Sequence, residues 1–401
     1  MNILFLSLAR FDDINERGIY SDLMREFIRW GNNVYIASPT ERRFGKKTHL
    51  IESEHCQILK IKTLNIQKTS VIEKGIGTLL LECQFDKAIN KYWGNINFDL
   101  ILYATPPITF NIVIERIKRR CGCRSYLMLK DIFPQNAVDL GMMKKGGFLY
   151  KMFRKKEERL YEISDRIGCM SPAKCEYVIN HNPAVDPNKV EECPNAVEPI
   201  DTPPISDKER TYLLSQLNIP TDKTLFIYGG NLGKPQGIDF LLKVVEANES
   251  NTNSHLVIVG DGTEFPKIKA FFDSVKPKNA TLIAGLPKSD YDNLIRACHV
   301  GLIFLDPRFT IPNFPSRLLS YLENSMPVLL ATDINTDMGN IAEREGFGLW
   351  SVSGNLNDFM TNLVELSSDK DSIVKMGKLG YTFLLHNDTL DKVADIIMNL
   401  K

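Results

Sequence analysis

Long apolar runs are missing from this chain. No stretch of about 18 apolar residues occurs in its 401 positions, so nothing reads as a membrane-spanning helix. Met1–Leu8 is apolar but far too short to span, and it lacks the charged leader and cleavage site of a signal peptide. It reads instead as the first strand of an open sheet. An excess of charge of either sign is also missing. Lys plus Arg total 49 and Asp plus Glu total 49, which removes the bulk electrostatic case for a nucleic acid partner. The eight cysteines offer no C-x2-C pair, and Cys121-Gly-Cys123 is too tight for a structural zinc pair. Scattered thiols suit a reducing, cytoplasmic setting. Only six histidines occur; His299, just before an apolar run, reads as structural.

What is present is alternation. Ile3–Leu8, Asn33–Ser38, Gln57–Ile61, Asp99–Tyr103, Ser125–Leu129 and Arg166–Met170 are short apolar runs, and helical spacing fills 18–30, 77–92, 108–120 and 147–163. The pattern predicts a parallel sheet covered on both faces. Pro194, Pro199, Pro203 and Pro204 crowd around Thr202 and Ser206, a composition that interrupts helix and central strand alike. Beyond them the alternation resumes, with strands at Leu225–Gly229, His255–Gly260, Thr281–Ala284, Val300–Phe304 and Val328–Ala331. The expected fold is α/β, with two Rossmann-like domains facing each other across a cleft. The domains are placed at 1–197 and 198–384, with a C-terminal helix at about 385–401. The amphipathic stretch Leu390–Leu400 belongs to that helix.

Three segments carry candidate chemistry. In Phe226-Ile-Tyr-Gly-Gly-Asn-Leu-Gly-Lys-Pro-Gln-Gly237 a strand ends in four glycines and a lysine before a helix. Close backbone approach, a helix N-terminus and Lys234 suit a diphosphate; a plain strand-to-helix turn is the other reading. It is neither a Walker loop nor a dinucleotide G-x-G-x-x-G. Val259-Gly-Asp-Gly-Thr-Glu264 is a second such turn after the next strand, so both open at one sheet edge. In the third, Phe309 to Leu330, Ser316 is expected to cap a helix whose first turn holds Arg317, with Ser320 on the same face. A cation in a first turn opposes the helix dipole and makes sense beside an anion.

The order of these segments, Tyr228 to Gly237, Gly260 to Glu264, and Pro315-Ser-Arg-Leu-Leu-Ser-Tyr-Leu322 followed by Met326-Pro-Val328, resembles the family-4 retaining glycosyltransferases. It resembles most the branch that builds capsule, exopolysaccharide and O-antigen repeats. Asp131-Ile-Phe-Pro134 is similar to that branch's Asp-Leu-Trp-Pro, and Pro194-Asn-Ala-Val197 to its Pro-Asn-Gly-Val. The resemblance covers nearly the whole chain, strongly in the second half and more loosely in the first. It implies a GT-B fold with a nucleotide-sugar donor, UDP-linked in expectation, held by the C-terminal domain. It further implies a lipid-linked saccharide acceptor on the N-terminal side, and neither cofactor nor metal. The donor diphosphate would face Lys234 and Arg317, with Gly18, Gly230, Asn231, Gly233, Gln236, Asp261, Gly262, Leu286, Asn313, Ser316 and Ser320 around the donor. Two departures stand out. Asn231 and Gln236 replace a common Arg and Lys, and Pro312 and Ser320 replace two common glutamates, the second a ribose ligand. Glu323, one turn on, is a candidate substitute.

Retaining transfer here would rely on cations and helix dipoles to stabilise the leaving diphosphate. The acceptor proton would pass to a phosphate oxygen or to Asp131; Asp131 as a turn residue before Pro134 is the alternative. Segments 112–120 and 142–156 mix Lys and Arg with apolar side chains, a composition for an anionic membrane surface. The implied location is therefore the inner face of the cell membrane. Rival readings are a catalytically degenerate accessory subunit, motivated by Pro312 and Ser320, and a sugar-nucleotide epimerase.

Overall fold

The computed structural model describes residues 1–66, 71–200 and 205–399. Thr202, Pro203, Pro204 and Leu400, named above, lie outside the described residues. The chain divides into two compact units, Met1–Glu198 with Leu390–Lys401, and Pro199–Thr389.

The first unit runs β1 (Asn2–Leu6), α1 (Ile19–Arg29), β2 (Asn33–Glu41), β3 (His49–Ser53), β4 (Cys56–Thr63), α2 (Val71–Trp93), β5 (Leu100–Ala104), α3 (Asn111–Cys121), β6 (Arg124–Leu129), α4 (Gln135–Asp139), α5 (Phe148–Ile163), β7 (Arg166–Cys169), α6 (Pro172–His181) and β8 (Val190–Glu192). Its sheet order is β3-β4-β2-β1-β5-β6-β7-β8. Every pairing is parallel except β3 with β4. Ile3, Leu4, Phe5 and Leu6 are all fully buried, as a central strand covered on both faces requires. The antiparallel β3 is absent from the sequence expectation. Its side chains are only partly buried or exposed, so it carries no continuous apolar signal.

The second unit runs α7 (Asp207–Gln216), β9 (Thr224–Asn231), α8 (Ile238–Ala247), β10 (Ser254–Asp261), α9 (Phe265–Val275), β11 (Ala280–Ala284), α10 (Lys288–Ala297), β12 (Val300–Phe304), α11 (Arg317–Glu323), β13 (Val328–Thr332), α12 (Met338–Arg344), β14 (Gly348–Val352), α13 (Leu356–Ser368) and α14 (Lys370–Asn387). Its parallel sheet has the order β11-β10-β9-β12-β13-β14. The order reverses at β9: β10 and β11 extend to one side, β12 to β14 to the other. A parallel sheet offers its ligand crevice at such a reversal, beyond the strand C-termini.

The last helix, α15 (Leu390–Met398), belongs to the first unit. Leu390, Val393, Ala394 and Ile397 join Leu23, Met24 and Phe27 of α1 in one buried cluster. That spacing is one face of a helix, and it explains why the amphipathic stripe is there.

Candidate functional site

The glycine-rich turns of the second unit meet at adjoining strand ends. β9 and β10 pair in register, with Gly230 opposite Gly260 and Asn231 opposite Asp261. The backbone stitches them further: Leu232 N–H donates to Asp261 O (2.9 Å), and Glu264 N–H donates to Leu232 O (2.9 Å). This closeness dictates two glycines. A Cβ on Gly260 would lie 2.0 Å from Gly230 O, and one on Gly262 would lie 2.3 Å from Leu232 O. Their absence of side chains thus serves the packing of one turn on the other. Gly230 differs: its φ is +116° and its open side faces Arg317, whose Nη2 would be 3.9 Å from an added Cβ. Gly230 is exposed there, so bare backbone lines the crevice beside a guanidinium.

Arg317 opens α11. Its Nη2 donates to Gln236 Oε1 at 2.7 Å, and its Cζ lies 4.3 Å from the centroid of the Tyr228 ring. Gln236 Oε1 also accepts from the Tyr228 hydroxyl at 3.2 Å, while Tyr228 reaches Asn231 O at 3.0 Å. Nη1 of Arg317 is buried without a hydrogen-bond partner. Among the described residues no carboxylate forms an ion pair with Arg317. A desolvated cation with a free donor and no counter-ion is unfavourable by itself; it suits an arriving anion. Gln236 therefore acts here as a bracket for Arg317.

Tyrosines complete the support. The Tyr321 hydroxyl lies 3.1 Å from Ile227 O and accepts from Gly229 N–H at 3.3 Å. Burial pushes its phenol up to about 12, so it stays neutral. A Cβ on Gly229 would fall 1.8 Å from the Tyr291 hydroxyl. Tyr228 and Tyr321 stand inside the motifs quoted above, where they read only as spacers; the signal was there in residue type but not in spacing. Tyr291, from α10, carried no such signal.

Lys234 is exposed and opens a 3-10 turn, Lys234–Gln236, ahead of α8. Gly237 ends that turn at φ +55° and caps α8. Gly233 is buried, while Asn231 and Asp261 are exposed at the same edge. Gly285, after β11, stands 3.5 Å from Asp261 Cβ when given a Cβ, which puts Leu286 in the neighbouring loop. Asn313 lends its carbonyl to the Thr336 hydroxyl at 2.6 Å, and its buried Nδ2 has no partner among the described residues. Asp333, wholly buried, holds that region from behind. Its Oδ1 accepts from Asn335 N–H (2.9 Å) and Thr336 N–H (3.1 Å). The Asn335 amide in turn donates to Phe309 O at 2.6 Å.

One expectation is corrected. Ser316 sits at the N-cap position of α11 but makes no side-chain cap bond. Its backbone is itself helical, at φ −65° and ψ −14°, whereas a capping hydroxyl needs an extended residue. Glu323 accepts from Ile200 N–H at 3.0 Å, so one of its oxygens is engaged with the start of the linker. Ser320 is half-buried and shares the α11 face with Arg317.

Gly18 and Asp131 belong to the first unit. Gly18 precedes α1, and its N–H donates to Asp22 Oδ1 at 3.0 Å. Asp131 follows β6, tied by Thr105, whose hydroxyl donates to Asp131 O (2.9 Å). Burial raises the Asp131 carboxyl above the ordinary range, and the Lys174 ammonium pulls it back in part. Its charge is felt by the buried Tyr20 hydroxyl. Of the two basic segments, 112–120 is α3, whose Val113, Ile114 and Ile117 are core and whose Arg116 and Lys118 pair with Asp86 and Asp165. In 142–156, Met142, Phe148 and Leu149 are 65%, 82% and 55% exposed, beside exposed Lys144, Lys145, Lys151 and Lys155. Among the described residues no group of three or more His, Cys, Asp or Glu could hold a metal ion, and no helix is long and apolar enough to cross a membrane.

Residues 210–383 match the family model Glycosyl transferases group 1. The match lies within the second unit, which is thus similar to the group 1 glycosyl transferases. A relative of Pseudomonas aeruginosa, "Probable glycosyltransferase WbjE", is 23% identical over 262 residues, covering 64% of this chain and 63% of its own length. The alignment thus spans less than two thirds of that relative. Among solved structures, sucrose-phosphate synthase from Thermosynechococcus elongatus superposes at a TM-score of 0.78, with 15% identity, 100% of this chain and 98% of that one. Anabaena HepE in complex with UDP superposes at 0.70, with 12% identity, 99% of this chain and 98% of that one. At such identities the likeness is one of fold: two Rossmann-like bodies, as in GT-B glycosyltransferases.

Proposed function

We propose that the chain is a retaining glycosyltransferase that moves a sugar from a nucleoside-diphosphate donor, UDP-linked, to a lipid-linked saccharide during surface polysaccharide synthesis. The observation that carries this reading is Arg317. Its buried guanidinium stacks on Tyr228, is braced by Gln236, keeps Nη1 unpartnered and faces bare Gly230 backbone. That is a preorganised cation at the reversal point of a parallel sheet, where charge on a departing diphosphate is stabilised without reorganisation. Lys234 adds a mobile cation, and the HepE complex with UDP supports the choice of base. No metal is assigned a role.

In this reading the donor lies along Gly230, Asn231, Gly233, Gln236, Asp261, Gly262, Leu286, Asn313, Ser316 and Ser320, and Gly18 is kept as a separate donor-binding candidate of the first unit. Ser320 replaces a carboxylate and bonds ribose more weakly. The acceptor proton goes to a diphosphate oxygen or to Asp131. The raised carboxyl of Asp131 makes it a better base than an ordinary aspartate once ionised. Docking on an anionic bilayer at the inner face of the membrane falls to segment 142–156, where exposed Phe148 and Leu149 stand among lysines. Segment 112–120 has part of its charge committed to Asp86 and Asp165.

The test is a titration of the purified chain with UDP and UDP-sugars, followed by thermal shift and by release of UDP with and without a lipid-linked acceptor. Selective stabilisation by uridine nucleotides is expected. No shift at millimolar UDP-sugar removes the transferase reading. Binding without turnover favours the accessory-subunit reading, and an altered donor without acceptor favours the epimerase.

A further inference from the structure

We propose that the first unit carries a pocket for a negatively charged sugar residue of the acceptor, bearing a carboxylate or a phosphate, built at the C-terminal ends of β1 and β2. This inference rests on the transferase reading for the word acceptor, but the pocket stands on its own residues. A cavity of about 290 Å³ opens there, at the small end of ligand pockets, which run from about 300 Å³ upward; it matches one sugar ring better than a nucleotide.

Arg10, Asp12, Glu41, Arg43 and Lys46 line its polar wall. Asp12 pairs with Arg10 and, from inside, with Lys60, whose Nζ reaches Asp12 Oδ1 at 3.0 Å and Phe11 O at 2.6 Å. Lys60 is 1% exposed. A wholly buried ammonium in a polar wall is expensive unless it holds something in place; here it fixes Asp12 and the loop behind it. Glu41 pairs with Arg43 and accepts from Ile66 N–H at 2.9 Å. Both carboxylates are therefore neutralised from within the protein. Three lining cations, Arg10, Arg43 and Lys46, stand against two carboxylates, with the buried Lys60 behind Asp12; the excess is positive, and exposed Lys46 carries it toward solvent.

The remaining lining is mostly apolar, Leu8, Pro39, Ile66 and one aromatic ring, Phe44. Phe44 is 48% exposed, with the Arg10 guanidinium 4.9 Å from its ring centroid. An exposed aromatic face beside forked guanidinium donors and carboxylate acceptors matches the two sides of a pyranose, apolar C–H on one and hydroxyls on the other. The positive excess selects an anionic ring. Behind Arg10 and Asp12 the aromatic packing is continuous. Phe11, between Arg10 and Asp12, packs edge-on against Phe5 at 5.9 Å, and Phe5 packs on Tyr20 at 5.3 Å. The Tyr20 hydroxyl in turn lies within the field of Asp131.

The experiment titrates the full chain with glucuronate, glucose 6-phosphate and glucose, read by saturation-transfer NMR, with UDP in a parallel arm. At least one anionic sugar is expected to bind about fivefold tighter than glucose, the worth of one exposed charge pair. Whichever anionic sugar is preferred identifies the charge as carboxylate or phosphate. Lys46→Glu is expected to weaken that sugar by about fivefold or more, and Phe44→Ala to weaken all three, with UDP affinity unchanged. Both positions are exposed, so folding is not at issue. Equal binding of glucose and both anionic sugars, binding indifferent to Lys46→Glu, or no binding of any of the three at millimolar concentration overturns the pocket. Loss of UDP binding in the wild type, with the Lys46-dependent sugar binding intact, would remove the transferase reading and leave the pocket in place.

Discussion

The guanidinium of Arg317 stacks on Tyr228, Cζ to ring centroid 4.3 Å, although neither neighbours the other in sequence. The ring covers one face of the cation, Gln236 holds one edge, and the other terminal nitrogen is left buried and unpartnered. A planar, forked cation is needed for all three; a point charge on a flexible stem supplies none of them.

Replacing it tests this directly. Arg317→Ala is expected to reduce UDP-sugar turnover by about 10²–10³-fold, the usual loss for one preorganised donor to a developing anion. Arg317→Lys keeps the charge but not the stack or the fork, and should recover only a small part of the rate. Steady-state turnover of both variants decides it, and a lysine variant at wild-type rate would contradict the stacked geometry as the reason for an arginine.

The two glycine turns predict a contrast in stability. Gly260→Ala forces a methyl to 2.0 Å from Gly230 O, whereas Gly285→Ala meets its nearest atom at 3.5 Å. Overpacking of this kind costs about 1–3 kcal/mol or more. In a domain of this size that lowers the melting temperature by about 2–4 °C per kcal/mol. Thermal unfolding should show Gly260→Ala clearly destabilised and Gly285→Ala within about a degree of wild type. Equal melting temperatures would mean the turns are not packed as described.

Asp333 predicts a pH dependence. Burial pushes its carboxyl up to about 6, against partial relief from the Asn335 and Thr336 N–H groups. Between about pH 4 and pH 6 the folded protein keeps a proton that the unfolded chain has released, so stability falls as pH rises through that window. The loss is of the order of 1–3 kcal/mol. Asp333→Asn has no such titration, and the difference between the two melting curves isolates it from other carboxylates. Parallel curves for the two proteins from pH 4 to 6 would show that Asp333 is not held as a proton-binding buried carboxyl.

Much of the fold was legible because buried parallel strands leave an unmistakable trace. Ile3 to Leu6, Leu225 to Tyr228 and Leu256 to Val259 are apolar on both faces, and only a covered sheet uses such runs. β3, β8 and β14 escaped because edge strands are half wet and short. Helices α13 and α14 escaped too; α14 buries only Ile373, Gly377, Gly380 and Leu384 of its 18 residues, a stripe with two glycines in it.

The site was legible in part for a related reason. Gly230 announces itself by standing among four glycines at a strand end, and Lys234 and Arg317 by being cations near helix N-termini, where the dipole disfavours them. Ser316 misled, because its capping depends on a backbone angle and not on its hydroxyl. The charged wall beside Phe44 was invisible: Arg10, Asp12, Glu41 and the buried Lys60 behind them are spread over about fifty residues and meet only because β1, β2 and β4 lie side by side.

Local order and residue type, then, were enough to determine the alternation of strand and helix, the interruption at the prolines, and the opening of the glycine turns at one sheet edge. Those depend on periodicity and on backbone freedom, which act over a few neighbours. The tertiary structure alone decided that Tyr228 and Gln236 share Arg317, that Gly260 is small for the sake of Gly230, and that burial raises the Asp333 carboxyl. Each of these is a contact across strands or a loss of solvent, and both arise only when distant segments close on one another.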